Sequence, residues 1–346
     1  IEKYEKKKNI DQILVTSNTL SSSKVISKYK FKKVIHQFFP IDTNHNTRKF
    51  LDYWKPSLSM FVDSEIWPNM LLNLKKRKIP IVLINGRITL KTFKRWSNFK
   101  NFSNFIFGKF DLCICSSLKS KIYLKKLGAK KLKFFGNLKY SQSEFEKIEI
   151  NKDIERFMRN KKVWCASSTH NTEENFVGLV HKKLKKKYKN LLTIIIPRHI
   201  HRINLIREQL NQMGLKIHLH ENKKRISKDT DIYLVNSYGQ TKSFFSICQN
   251  VFLGGSLINH GGQNPLEAVR YGCNILHGPN VSNFDEIYSF LNSQKISFGI
   301  KKHNGMLKVL SKLLSSKKNQ GNIKKKIHLK GEKILKLTIK EIDNYL

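Results

Sequence analysis

Short apolar runs alternate along the chain with longer stretches in which apolar residues recur every three or four positions. Runs of strand length fall at 13–16, 58–62, 81–84, 112–115, 132–135, 163–166, 191–196, 232–235, 251–253 and 274–277, and helical spacing separates most of them. Continuous apolar strands between helices predict parallel sheets covered on both faces. The fold class that follows is α/β, with doubly wound domains. Glycines end three of the predicted helices: Gly128 after 118–127, Gly214 after 203–213 and Gly272 after 265–271. Each suits the left-handed residue just past a helix end.

A charged, low-complexity stretch follows Gly136, and a new strand begins at Val163, which puts a boundary within 141–153. The expected division is an N-terminal domain over 1–145, a C-terminal domain over 146–320 and a terminal helix over 321–346. That tail is Lys-rich from Lys317 and carries Ile323, Ile327, Ile334, Leu337 and Ile342 at helical spacing. Such a helix docks on the body of a protein or, less simply, lies on a membrane surface. The chain opens on Ile1 inside an amphipathic pattern, Ile1 to Glu5, that leads into a strand. The expectation is that a further segment precedes it. No apolar run reaches the roughly 18 residues of a membrane span, and no signal peptide is visible.

Composition changes the picture in one respect. The 346 residues are 40% hydrophobic, enough to bury a core in each half. The formal charge, however, is +41, from 66 Lys+Arg against 25 Asp+Glu. Much of this is compositional, since Lys, Ile, Asn and Phe share A+T-rich codons. On one face it also suits an anionic partner: nucleic acid, membrane or phosphorylated substrate. Cys113, Cys115, Cys165, Cys248 and Cys273 include no Cys-x-x-Cys pair and read as buried free thiols, with Cys113 and Cys115 on the same face of one strand.

Ligands of open α/β sheets bind beyond the carboxyl ends of the strands, and the chemically informative residues collect there. Strand 251–253 runs into Gly254-Gly255-Ser256, followed by Gly261, Gly262 and then Asn264-Pro265-Leu266-Glu267. Glycines admit a ligand close to the backbone. Asn264 suits a helix cap and Pro265 the first helical position. The helix start favours a phosphate. Glu267 has two readings that are compatible: a carboxylate for vicinal ribose hydroxyls, and a capping box with Asn264. Ser167-Ser168-Thr169-His170 follows strand 163–166 and precedes a helix over 173–187. Its hydroxyls suit phosphate or a helix cap, and His170 suits an anion or an ordinary loop. Pro197-Arg198-His199 ends the next strand, where Arg198 is an anion clamp or a surface cation.

In the N-terminal half, Asp63-Ser64-Glu65 ends strand 58–62 and Ile66-Trp67-Pro68-Asn69 begins a helix. The two carboxylates suit acceptor hydroxyls or general-base work, or compensation of the helix terminus. Asn85-Gly86-Arg87 and Gly136-Asn137-Leu138-Lys139 end two further strands, with Lys139 available to a phosphate. There is no G-x-G-x-x-G and no Walker A loop, which argues against a dehydrogenase or a P-loop enzyme. No D-x-D pair stands at a strand end, so no catalytic metal is expected.

Together these segments resemble the bacterial 3-deoxy-D-manno-octulosonic acid (Kdo) transferases of lipopolysaccharide synthesis. The matching runs are Glu65-Ile66-Trp67-Pro68-Asn69, Asn85-Gly86-Arg87, Gly136-Asn137-Leu138-Lys139, Ser168-Thr169-His170, Pro197-Arg198-His199, Gly254-Gly255-Ser256-Leu257 and His260 through Glu267, with Gly278-Pro279 and Asn283-Phe284 after them. The resemblance implies a GT-B fold of two Rossmann-like domains facing across a cleft, and an inverting, metal-independent transfer. It implies CMP-Kdo as sugar donor and no cofactor. A phosphorylated lipid A precursor would be the acceptor, at the anionic cytoplasmic face of the inner membrane, with the protein peripheral or anchored through a preceding segment. Carried over by motif, Arg198, Gly255, Asn264 and Glu267 contact CMP. Ser168, Thr169, His170, Gly254, Ser256 and Lys139 complete the donor site, and Asp63, Glu65 and Arg87 stand on the acceptor side. The family's main catalytic Glu is expected upstream of residue 1. Two departures stand out: Asn236 and Gln240 replace usual acidic residues, and Gln263 replaces a usual His. Other readings are a GT-B enzyme with a UDP-sugar donor and a basic nucleic-acid-binding protein. Against the latter, Lys is spread along the chain and no RNA or DNA module signature occurs.

Overall fold

The computed structural model describes residues 1–27, 29–142, 151–221, 225–316 and 321–346. The sequence boundaries at 145/146 and at 320 fall on residues outside these. The chain forms two units: Ile1–Gly136 with Thr338–Leu346, and Asn137–Leu337. The terminal helix, Gly321–Ile342, belongs to the second unit through Leu337 and to the first beyond it.

The first unit holds β1 (Ile13–Ser17), β2 (Val34–Phe38), β3 (Ser59–Val62), β4 (Ile81–Gly86), β5 (Leu112–Cys115) and β6 (Leu132–Phe134). β1 and β2 form a parallel pair, and β3-β4-β5-β6 a parallel sheet in sequence order. Both faces of this sheet are covered, as continuous apolar strands require. Ile81, Leu83, Cys113 and Cys115 point into one core with Leu71, Leu74 and Phe107. Val82, Leu112 and Ile114 point into the other with Tyr4 and Ile342. The two cysteines therefore share a face, as their spacing predicts, and all five cysteines are buried and free.

The second unit holds β7 (Lys162–Thr169), β8 (Leu191–Pro197), β9 (Ile217–Leu219), β10 (Ile232–Leu234), β11 (Asn250–Leu253), β12 (Asn274–His277) and β13 (Ser297–Gly299). They make one parallel sheet in the order β13-β12-β11-β7-β8-β10-β9. The chain starts at the centre with β7, builds outward through β8, then returns to lay β11 on the other side of β7. The sheet therefore changes direction between β7 and β11, and a crevice at the carboxyl ends of these strands is where such sheets bind ligands. Helix Glu173–Lys187 packs Val177, Val180 and Leu184 into the core. It places Glu173 and Glu174 in its first turn and Lys185, Lys186 and Lys187 in its last, matching the helix dipole at both ends.

The glycines expected to end helices do so: Gly128, Gly214 and Gly272 have φ of +107°, +75° and +83°. The sequence reading missed β2, β9 and β13. These are edge or isolated strands, half-solvated and partly polar, so they present no continuous apolar run.

Candidate functional site

β7 runs three residues further than its apolar stretch predicts, through Thr169. Ser168 and Thr169 are therefore strand-end residues and not the start of a helix. The register against β8 shifts between Ser167 and Thr169, and Ser168 takes φ +56°, so this end of the strand bulges. Ser167 Oγ, Thr169 Oγ1 and His170 Nε2 are buried there without a hydrogen-bond partner among the described residues. Three orphaned polar atoms in one stretch, at the switch point of the sheet, are a marked exception to the rule that buried polar groups are paired.

The loop after β11 lies directly against this stretch. A Cβ on Gly254 would stand 2.4 Å from the Ser168 carbonyl oxygen and 2.6 Å from Thr169 Cα, so that glycine is required by close packing of the two loops. Gly255 has φ +64°. Ser256 is fully buried; its hydroxyl donates to the Leu253 carbonyl (2.5 Å) and accepts from the Gly278 N–H (2.8 Å), joining the ends of β11 and β12. The N–H groups of Gly255, Ser256 and Leu257 are not open to a ligand, because all three donate to the carboxylate of Glu173.

Around the loop stands a group of histidines. The ring of His170 lies 4.5 Å from that of His260 and 5.8 Å from that of His199, and His199 lies 5.6 Å from His201. Burial lowers the pKa of His170; Glu173 opposes the shift, and His260 and His199 add to it. Arg198 is exposed, and its N–H donates to the Thr169 carbonyl (3.0 Å). Arg202, which the sequence did not single out, is held by buried Glu174 and by Asn171.

Pro265 already has helical angles (φ −78°, ψ −16°), and Asn264 Oδ1 accepts from the Leu266 N–H (3.2 Å), so Asn264 caps as its type predicts. Glu267 lies half-buried in the first turn of helix Leu266–Arg270. Lys139 Nζ sits 5.4 Å from the centre of the Phe284 ring, and its carbonyl accepts from Arg270. Asn283 N–H bonds the Gly261 carbonyl (3.0 Å) and its amide the His260 carbonyl (3.2 Å). The 137–139 and 283–284 runs thus join the same loop cluster. Asn236 instead faces Glu221, whose N–H donates to Asn236 Oδ1 (3.0 Å).

In the first unit, Asp63 and Asn85 end β3 and β4, both at positive φ (+56° and +52°). The Asn85 amide donates to Asp63 Oδ1 (2.5 Å), the Arg87 N–H to the Asp63 carbonyl (2.9 Å), and Ser64 Oγ to the Arg87 carbonyl (2.7 Å). The carboxylate of Asp63 thereby stitches two loops together, while that of Glu65 is exposed. Glu65 Oε2 accepts from the Trp67 indole (2.7 Å) and from the Asn18 amide (3.5 Å). Asp42, not expected from the sequence, caps helix Pro68–Lys76 through the N–H groups of Asn69 and Met70.

Among the described residues no group of three or more His, Cys, Asp or Glu is placed to hold a metal ion, and no helix is long and apolar enough to cross a membrane. Glu173 was missed because a carboxylate at a helix start reads by default as a solvated dipole partner. The available signal was two adjacent carboxylates after Ser-Thr-His in a chain poor in acids.

Comparison with known proteins gives four matches. A family model described as 3-deoxy-D-manno-octulosonic-acid transferase (kdotransferase) matches residues 1–142. The 3-deoxy-D-manno-octulosonic acid transferase of Rickettsia bellii is 31% identical over 339 residues, covering 97% of this chain and 79% of the relative. That of Rickettsia felis is 32% identical over 308 residues, covering 88% of this chain but 65% of the relative, so the match spans less than two thirds of that protein. Among solved structures, UDP-GlcNAc 2-epimerase from Neisseria meningitidis bound to UDP-GlcNAc superposes with a TM-score of 0.63 at 13% identity, over 98% of this chain and 94% of that one. At this identity the likeness shows the fold alone: α/β of the GT-B type, with two Rossmann-like units.

Proposed function

Since the chain belongs to the 3-deoxy-D-manno-octulosonic acid transferase family, we propose that it transfers Kdo from CMP-Kdo to a phosphorylated lipid A precursor, lipid IVA. The observation that carries the donor side is the cluster of orphaned polar atoms where β7 and β11 diverge. Asn264, Glu267, Lys139 and Arg198 come from the segments that adjoin it. Glu267 takes the ribose hydroxyls, and the cations take the phosphate and the sugar carboxylate.

In the reaction an acceptor hydroxyl oxygen bonds to the anomeric carbon of Kdo as the bond from that carbon to the CMP phosphate oxygen breaks. CMP leaves with the bonding pair, and a carboxylate takes the hydroxyl proton, with inversion at the anomeric centre. Glu65 serves the acceptor side. Its carboxylate is exposed yet oriented by the Trp67 indole, as a group that meets a hydroxyl needs to be. No metal enters this scheme.

The acceptor side also has a lipid-compatible surface within the first unit. Leu90, Phe99, Phe102 and Phe105 are exposed on and beside helices Leu90–Ser97 and Lys100–Phe107, among Lys91, Lys94, Arg95 and Lys100. Exposed apolar side chains rimmed by cations suit an anionic bilayer, which supports work at the cytoplasmic face of the inner membrane.

Isothermal titration tests the donor assignment. CMP is expected to bind the wild type more tightly than UDP, and Glu267→Ala to weaken CMP binding. No CMP binding, preference for UDP, or equal CMP binding by the variant overturns it.

A further inference from the structure

The two loops that meet at the switch point share one carboxylate. Glu173 is 1% exposed. Its Oε2 accepts from the N–H groups of His170 (2.9 Å) and Gly255 (2.7 Å), and its Oε1 from those of Ser256 (3.2 Å) and Leu257 (3.0 Å). Successive backbone N–H groups aimed at one point are an anion-binding arrangement. Here the anion is a side chain from the first turn of helix Glu173–Lys187.

The same carboxylate fixes the placement of His170. With its N–H held by Glu173, the residue directs Nδ1 to within 3.0 Å of the Ser168 carbonyl oxygen. A carbonyl only accepts, so Nδ1 carries the proton, and the neutral ring offers Nε2 as a bare lone pair. That nitrogen is buried and unpartnered, in a residue 7% exposed. Beside it, His170 Cε1, His260 Cδ2 and Gln263 Nε2 lie 3.1, 3.2 and 3.4 Å from the point where a Cβ on Gly255 would stand. His260 is itself exposed.

We propose that Glu173 is a positioning residue of the sugar-donor site: it fills the anion-binding backbone of the Gly255–Leu257 loop and presents His170 Nε2 as an acceptor for a hydroxyl or amino group of the nucleotide, not as a cation for its phosphate. This rests on the nucleotide reading above. The phosphate is then left to exposed cations of the adjoining loop, Arg198 first. The titratable groups that face His170 are Glu173 from its helix, His260 from the loop after β11 and His199 from the loop after β8. Burial keeps the ring neutral near pH 7. An unpaired buried nitrogen is costly, and a ligand proton removes that cost on binding.

The test is CMP titration at pH 5.5 and 7.5 with wild type, His170→Gln and Glu173→Ala. Glutamine keeps an acceptor oxygen but does not titrate, so its own affinity ratio between the two pH values reports the phosphate and the other histidines. Protonation of His170 at the lower pH removes the lone pair, so the wild-type ratio is expected to favour pH 7.5 more than that of His170→Gln does. Glu173→Ala is expected to bind CMP about tenfold more weakly and to recover when formate is added to refill the loop. Equal ratios, or a wild-type preference for pH 5.5 that His170→Gln removes, overturn the proposal, as does unaltered binding by Glu173→Ala. If Glu173→Ala does not fold, the His170→Gln comparison decides. A wild type that binds no CMP at either pH fails the nucleotide reading itself.

Discussion

Arg202 holds Glu174 at two points, with N···O distances of 3.0 and 3.1 Å, and Glu174 is 1% exposed. The planar guanidinium matches both carboxylate oxygens, which a lysine cannot do. Removing the cation leaves a buried charge without its partner. Arg202→Ala is expected to lower unfolding free energy by about 3–5 kcal/mol, and Arg202→Lys to recover only part of it. Urea denaturation measures both, and a loss no larger than that of a surface ion pair contradicts the reading.

Stability is expected to fall as pH drops below the usual histidine range. Burial lowers the pKa of His170, His181, His218, His220, His277 and His303. For each, the unfolded chain binds its proton first, so folding stability rises with pH. It is complete above the ordinary histidine value of 6.5 and is lost as pH falls through the lower folded values. Asp231 adds a second loss at stronger acid. Burial raises its pKa, but His181, the Lys216 N–H and Lys185 together outweigh burial and hold it well below 3.8. Thermal melts between pH 8 and pH 3 are expected to show both declines. A melting temperature that is flat from pH 7 to pH 5 contradicts the first.

Two glycines are expected to respond oppositely to alanine. At Gly254 the new Cβ meets backbone of the Ser168–Thr169 stretch at 2.4 and 2.6 Å, and backbone cannot yield as a side chain can. Gly254→Ala is expected to cost about 1–3 kcal/mol or more and to abolish CMP binding. At Gly305, in helix His303–Ser315, nothing lies within 4 Å, so Gly305→Ala is expected to stabilise by roughly 0.5–1 kcal/mol. Melting temperatures of the two variants give the comparison.

Glu65→Gln is expected to separate transfer from donor binding. The amide keeps an oxygen for the Trp67 indole but loses the charge that meets an acceptor hydroxyl. Turnover with lipid acceptor should drop roughly ten- to hundredfold, while the CMP dissociation constant stays within a factor of two of wild type. A variant that turns over normally removes Glu65 from the chemistry.

Much of this protein is legible along the chain. The apolar runs fall on β1, β3 to β8 and β10 to β12, because a strand buried on both faces admits little else. The two-residue spacing of Cys113 and Cys115 sends both into one core, and three glycines end helices at positive φ, since side-chain alternation and backbone sterics are local rules. The short edges β9 and β13 escape the pattern because solvent on one side removes the apolar run that marks a buried strand.

Strand order is a different matter. Periodicity tells which way a side chain faces, not which strand lies beside it. That β11 pairs with β7 is settled only when the whole sheet packs, and this pairing brings the Gly255 loop to Glu173, 82 residues away. By composition alone Glu173 is a solvated carboxylate at a helix start. Its burial is favourable only because N–H groups from a distant loop converge on it, and it is that convergence which closes the loop backbone to other anions and leaves His170 Nε2 without a partner.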